Sequence, residues 1–97
     1  MTPPSELSIT NHAAKRVRQR LGIPKRAVPD MVQRAYDSGI EHATARGRLK
    51  RYLDKLYLEH MNASNMRVFG MFIYLFRGQT LITVLPLPKN LRGGVPK

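Results

Sequence analysis

Three side chains near the start of the chain can do chemistry together. His12, Arg16 and Arg20 fall at i, i+4 and i+8 in the run His12-Ala13-Ala14-Lys15-Arg16-Val17-Arg18-Gln19-Arg20, so on a helix they share one face. An imidazole exchanges a proton near neutral pH. Two guanidiniums can hold a phosphate and offset the charge that builds on it during transfer. A base, an acid and fixed positive charge are what cleavage of RNA by its own 2′-OH requires, and no metal enters that reaction. The same triplet also fits a solvated basic helix face with an incidental histidine near the helix start.

Further candidates lie toward the C-terminal half. Thr83 is the polar residue of the run Leu81-Ile82-Thr83-Val84-Leu85. Its hydroxyl can bond a phosphate or orient a side chain, or simply bond the backbone of a strand. Arg67 and Tyr74 are candidates for nucleic-acid binding on a sheet. Tyr74 can stack on a base or donate a proton, or pack in the core. Arg48, Arg51 and Lys55 can hold backbone phosphates, or form a solvated charged face. His42 and His60 lie in or beside connectors without a partner pattern and are given no role. The sequence has no glycine-rich phosphate loop, paired-carboxylate site or Ser/His/Asp signature. It has no cysteine, and His12, His42 and His60 have no short ligand spacing, so neither a metal nor another cofactor is expected.

The 97 residues carry 17 Lys plus Arg against 6 Asp plus Glu, a formal charge of +11. Such an excess repels itself in the compact state, and nucleic acid is the commonest partner that screens it. RNA, free or on the ribosome, is the expected partner. A hydrophobic content of 42% fits a globular chain, and the length fits a single domain. Residues 1–8 read as a flexible leader, 9–88 as the globular part and 89–97 as a flexible basic tail. No apolar run approaches the about 20 residues that span a membrane. Residues 1–5 lack the basic and apolar blocks of a signal peptide, so the cytoplasm is the expected compartment.

Elements must hold these residues in place. Thr10 or Asn11 can cap a first helix, with Ala13, Val17 and Leu21 as its apolar stripe and Gly22 before Pro24 as its stop. Val28, Met31, Val32, Ala35 and Tyr36 define a second helix, with Pro29 in its first turn and Gly39 in the C′ position. Residues 40–46 read as a connector. Leu49, Tyr52, Leu53, Leu56 and Tyr57 repeat the helical spacing over about residues 46–58, with Arg48, Arg51 and Lys55 on another face. Beyond them, residues 66–69, 72–76 and 80–85 are β-prone, and Pro86 and Pro88 end the last strand. The expected fold class is α+β: two to three N-terminal helices packed on one face of a C-terminal three-stranded antiparallel β-meander. The other sheet face is left exposed or carries a site.

The form His-Ala-x-x-Arg-x-x-x-Arg, here His12-Ala13, Arg16 and Arg20, stands with a last strand of the type Ile82-Thr83-Val84. The combination resembles a group of small bacterial and phage proteins, the ribonuclease toxins of the barnase–EndoU–colicin–RelE-like superfamily. The resemblance covers about residues 9–88. It implies a toxin-type endoribonuclease that cuts mRNA on the ribosome, or tRNA, without a metal, at a site on the concave sheet face beside the first helix. By position, His12 would be the general acid/base, Arg16 and Arg20 phosphate contacts, and Thr83 the strand hydroxyl. It also implies an acidic cognate inhibitor. The sheet of that superfamily has four or more strands, where three are read here. The rival expectation is a non-catalytic nucleic-acid-binding protein, or an inhibitor of a nucleoprotein complex, of phage or bacterial origin. A ribosome-associated structural protein would explain the charge but not the His12, Arg16, Arg20 face.

Overall fold

The computed structural model describes residues 7–60 and 63–94. Among them the chain forms helices α1 (Asn11–Leu21), α2 (Val28–Ser38) and α3 (Gly47–Glu59). It also forms strands β1 (Ser8–Ile9), β2 (Ile40–Glu41), β3 (Asn65–Phe69), β4 (Phe72–Arg77) and β5 (Thr80–Pro86). Thr10 caps α1, its hydroxyl accepting the Ala13 amide hydrogen at 3.0 Å, which satisfies one of the orphan donors of a helix start. Gly22 ends α1 at φ 68° with its N–H on the Arg18 carbonyl, a left-handed cap that glycine adopts without a Cβ penalty.

The glycine after α2 has a different reason. Gly39 is extended, φ −69° and ψ 157°, so a left-handed cap does not explain it. Space does: a Cβ there would overlap the Ala35 carbonyl oxygen and lie 3.0 Å from Arg67 Cβ and 3.2 Å from the Val68 carbonyl oxygen. The end of α2 and the start of β2 are thus pressed against β3.

The sheet corrects the expected topology. It has five strands in the order β1-β5-β4-β3-β2 and is mixed rather than a three-stranded antiparallel meander. β1 joins β5 in parallel, Ser8 opposite Thr80 and Ile9 opposite Leu81. β2 joins β3 antiparallel, Ile40 opposite Val68 and Glu41 opposite Arg67. Both edge strands are two residues long, too short to carry a period-2 pattern. Only their partners define them. Ser8 lies in the segment expected as a leader, and β2 in the expected connector. The connector also holds a 3-10 turn, His42–Thr44. Residues 1–6 of the leader and 95–97 of the tail lie outside the described residues.

Both faces of the sheet are covered. Along β4 successive side chains alternate: Tyr74 and Phe76 pack with Ala13, Val17, Val32 and Ala35 of α1 and α2. Ile73 and Leu75 pack with Leu49, Leu53 and Leu56 of α3. All four β4 residues are at most 1% exposed, which is why this strand reads as apolar throughout. The second core also takes in Leu87 and Leu91. Leu91 belongs to a 3-10 helix, Lys89–Gly94, in the segment expected as a flexible tail.

Candidate nucleic-acid interface

Helix α3 presents two different flanks beside its buried stripe. On one, Arg48, Arg51, Tyr52 and Lys55 recur at i, i+3, i+4 and i+7, a helical row. With Pro88, Asn90 and Leu91 they line a cleft of about 410 Å³. Arg48, Arg51 and Lys55 are exposed and Tyr52 is half-buried. None of these three cations has an acidic partner among the described residues. The helical spacing identifies the cationic row. The far wall follows from the C-terminal 3-10 helix, which Leu91 anchors to α3 from inside the core.

On the opposite flank, Lys50 and Asp54 face a second cleft of about 360 Å³, which His42, Glu41, Ser64 and Asn65 also line. The His42 Nε2 lies 2.6 Å from Asp54 Oδ1, and Lys50 Nζ donates to the other carboxylate oxygen at 3.0 Å. The His42 hydrogen bond, followed by that from Lys50, holds the Asp54 carboxyl below its ordinary range. An ionised carboxylate only accepts, so Nε2 carries the hydrogen of this bond. The His42 and Tyr57 rings are 6.0 Å apart. Sequence spacing gave His42 no role because its partner lies twelve residues on, across a turn and a helix start that no local motif links.

The remaining candidates are dispersed. His12, Arg16 and Arg20 are exposed on α1, which packs on the sheet face opposite α3. The structure keeps the triplet on one helix face but sets it apart from Arg48, Arg51 and Lys55. Thr83 is half-buried and pairs with Leu75, so it belongs to the α3 side and not beside α1. A bulge is responsible. Phe76 pairs with Leu81 while Leu75 pairs with Thr83, leaving Ile82 as the extra residue. Strict alternation from Leu81 would have put Thr83 on the α1 face; the bulge reverses it.

Arg67 and Tyr74 are held by the fold. Arg67, with 12% of its side chain exposed, donates to the Tyr36 carbonyl at 2.6 Å. It also stacks 4.5 Å above the Tyr36 ring and lies 3.8 Å from Glu41. It fastens α2 to β3. Tyr74 is 1% exposed, and burial pushes its phenol up to about 12. Neither offers a free surface to a base.

Comparison of the chain with protein-family models, with curated proteins and with solved structures gives no match. Among the described residues no cluster of His, Cys, Asp and Glu is gathered to hold a metal, and no helix is long and apolar enough to cross a membrane.

Proposed function

We propose that the protein binds RNA on α3, with phosphates on Arg48, Arg51 and Lys55 and a base or ribose against Tyr52. One observation carries the reading: three cations that have no acidic partner among the described residues meet a half-buried aromatic ring in a single cleft. Cations hold backbone phosphate whatever the sequence, and an aromatic ring offers any base a stacking surface. The combination suits an unpaired strand, whose bases are free to splay out. Anisotropy titration with a single-stranded RNA tests it. Binding that weakens steeply with salt is the expected result, and no salt-sensitive binding would sink the reading.

A second reading is the toxin-type endoribonuclease, acting on mRNA or tRNA by 2′-OH transesterification. It is supported by the exposed row of His12, Arg16 and Arg20 on a helix that has no acidic residue to neutralise it. Incubation with total RNA and with translating ribosomes in EDTA tests this. Ends carrying 2′,3′-cyclic phosphate or 3′-phosphate are expected; strict dependence on a divalent ion contradicts it. An acidic inhibitor protein would act by covering either cationic surface. RNA bound and left whole would make the protein a non-catalytic binding protein.

A further inference from the structure

We propose that His42, oriented by Asp54 in the cleft between α3 and β2, is a proton-transfer centre that acts on the 2′-hydroxyl of an RNA strand lying across α3. The inference rests on the RNA-binding reading above, which supplies its substrate. His42 follows β2 in a 3-10 turn, with 26% of its side chain exposed. Its Nε2 hydrogen is committed to Asp54, so in the neutral ring Nδ1 holds the lone pair. The charged and titratable groups around the ring are Asp54, Lys50 and Tyr57 from α3 and Glu41 from β2; Ser64 and Asn65 line the cleft with neutral side chains.

A base whose far nitrogen is fixed by a carboxylate is the arrangement that general-base catalysis uses. Lys50 shares that carboxylate and is half exposed, which places a cation beside the imidazole for the charge that develops on phosphate. The phosphate-binding row lies on the other flank of the same helix. The two clefts are therefore separated by about the width of one helix, roughly 10–12 Å with side chains, and one strand can reach both. In the reaction Nδ1 takes the 2′-OH proton as the O2′–P bond forms and the P–O5′ bond breaks. The departing 5′-oxygen lies on the far side of phosphorus and takes its proton from water, and the imidazolium gives its proton back through solvent to the hydroxide so formed. A 2′,3′-cyclic phosphate and a 5′-hydroxyl result, and no co-reactant is consumed. Asp54 is a positioning residue here, acting through His42.

The test uses the whole chain and a labelled single-stranded RNA in EDTA, with binding read by anisotropy and single-turnover cleavage by gel. Wild type is expected to bind and to leave cyclic-phosphate ends. His42→Gln is expected to lower the rate about 10²-fold or more with RNA affinity little changed. Asp54→Asn keeps the ring but not its orientation, and is expected to slow cleavage about tenfold or more. Wild type that binds RNA and leaves it whole overturns the centre while the binding reading stands; wild type that does not bind overturns both. Cleavage by His42→Gln at the wild-type rate overturns the proposal, as does a larger loss in His12→Ala than in His42→Gln. Should His42→Gln lose its fold by circular dichroism, Asp54→Asn decides: a folded Asp54→Asn that cleaves at the wild-type rate overturns the proposal.

Discussion

The imidazole of His42 and the carboxylate of Asp54 meet at 2.6 Å, joining the turn after β2 to the middle of α3. This bond has a consequence for stability as well as for chemistry. It is the largest cause that lowers the Asp54 pKa from 3.8, ahead of the hydrogen bond from Lys50. A carboxyl depressed in the folded state contributes stability above its unfolded pKa and loses it as pH falls through the folded value. Asp54→Asn should therefore be less stable than wild type near neutral pH, and the gap should close as the pH drops below 3.8. Thermal unfolding over that range checks this. A gap that stays constant into acid would mean that the ionised carboxylate adds nothing to stability.

Core and surface positions of α1 should separate cleanly. Val17 is 0% exposed, and Val17→Ala should cost about 1–3 kcal/mol through lost burial and a cavity. His12 is exposed and off the stripe, so His12→Ala should change stability by less than about 1 kcal/mol. Denaturant melts of both variants measure the contrast. Unfolding of His12→Ala would make His12 a structural residue.

Gly39→Ala should destabilise the fold by about 1–3 kcal/mol, the usual cost of forcing atoms into filled space. The backbone there is ordinary for any residue, and the penalty comes from the Ala35 carbonyl and the Arg67 Cβ beside it. A neutral effect in chemical denaturation would show that α2 and β3 can move apart freely.

Arg67→Met should lower stability by about 1.5–3 kcal/mol, the range for a hydrogen bond to a charged group, because it frees the Tyr36 carbonyl. RNA affinity should fall less than for Arg51→Ala, whose side chain is exposed in the α3 cleft. A greater loss of RNA binding in Arg67→Met would return Arg67 to the interface.

Helical spacing made the three helices and the Arg48, Arg51, Lys55 row legible, since a period near 3.6 repeats several times in each. The three central strands were legible from their apolar or β-branched runs and turn glycines. The edge strands were not, because two residues have no period. The side to which Thr83 belongs depends on one bulged residue, Ile82, and nothing in the local sequence marks it. The His42–Asp54 pair was hidden for a related reason: the partner lies twelve residues on, across a turn and the start of α3, a spacing that no local period marks. Arg67 read as a free cation because its partner is a backbone carbonyl 31 residues away.

The salt dependence of RNA binding tests the central claim most directly. A protein that neutralises phosphates releases counterions, and the log–log slope for a single strand is about −0.7 per phosphate contacted. Replacing Arg48, Arg51 and Lys55 together by alanine should weaken binding and make the slope shallower by about 2. The variant should keep its fold by circular dichroism, since all three side chains are exposed. A folded triple variant with wild-type affinity and an unchanged slope would show that this face of α3 does not touch RNA.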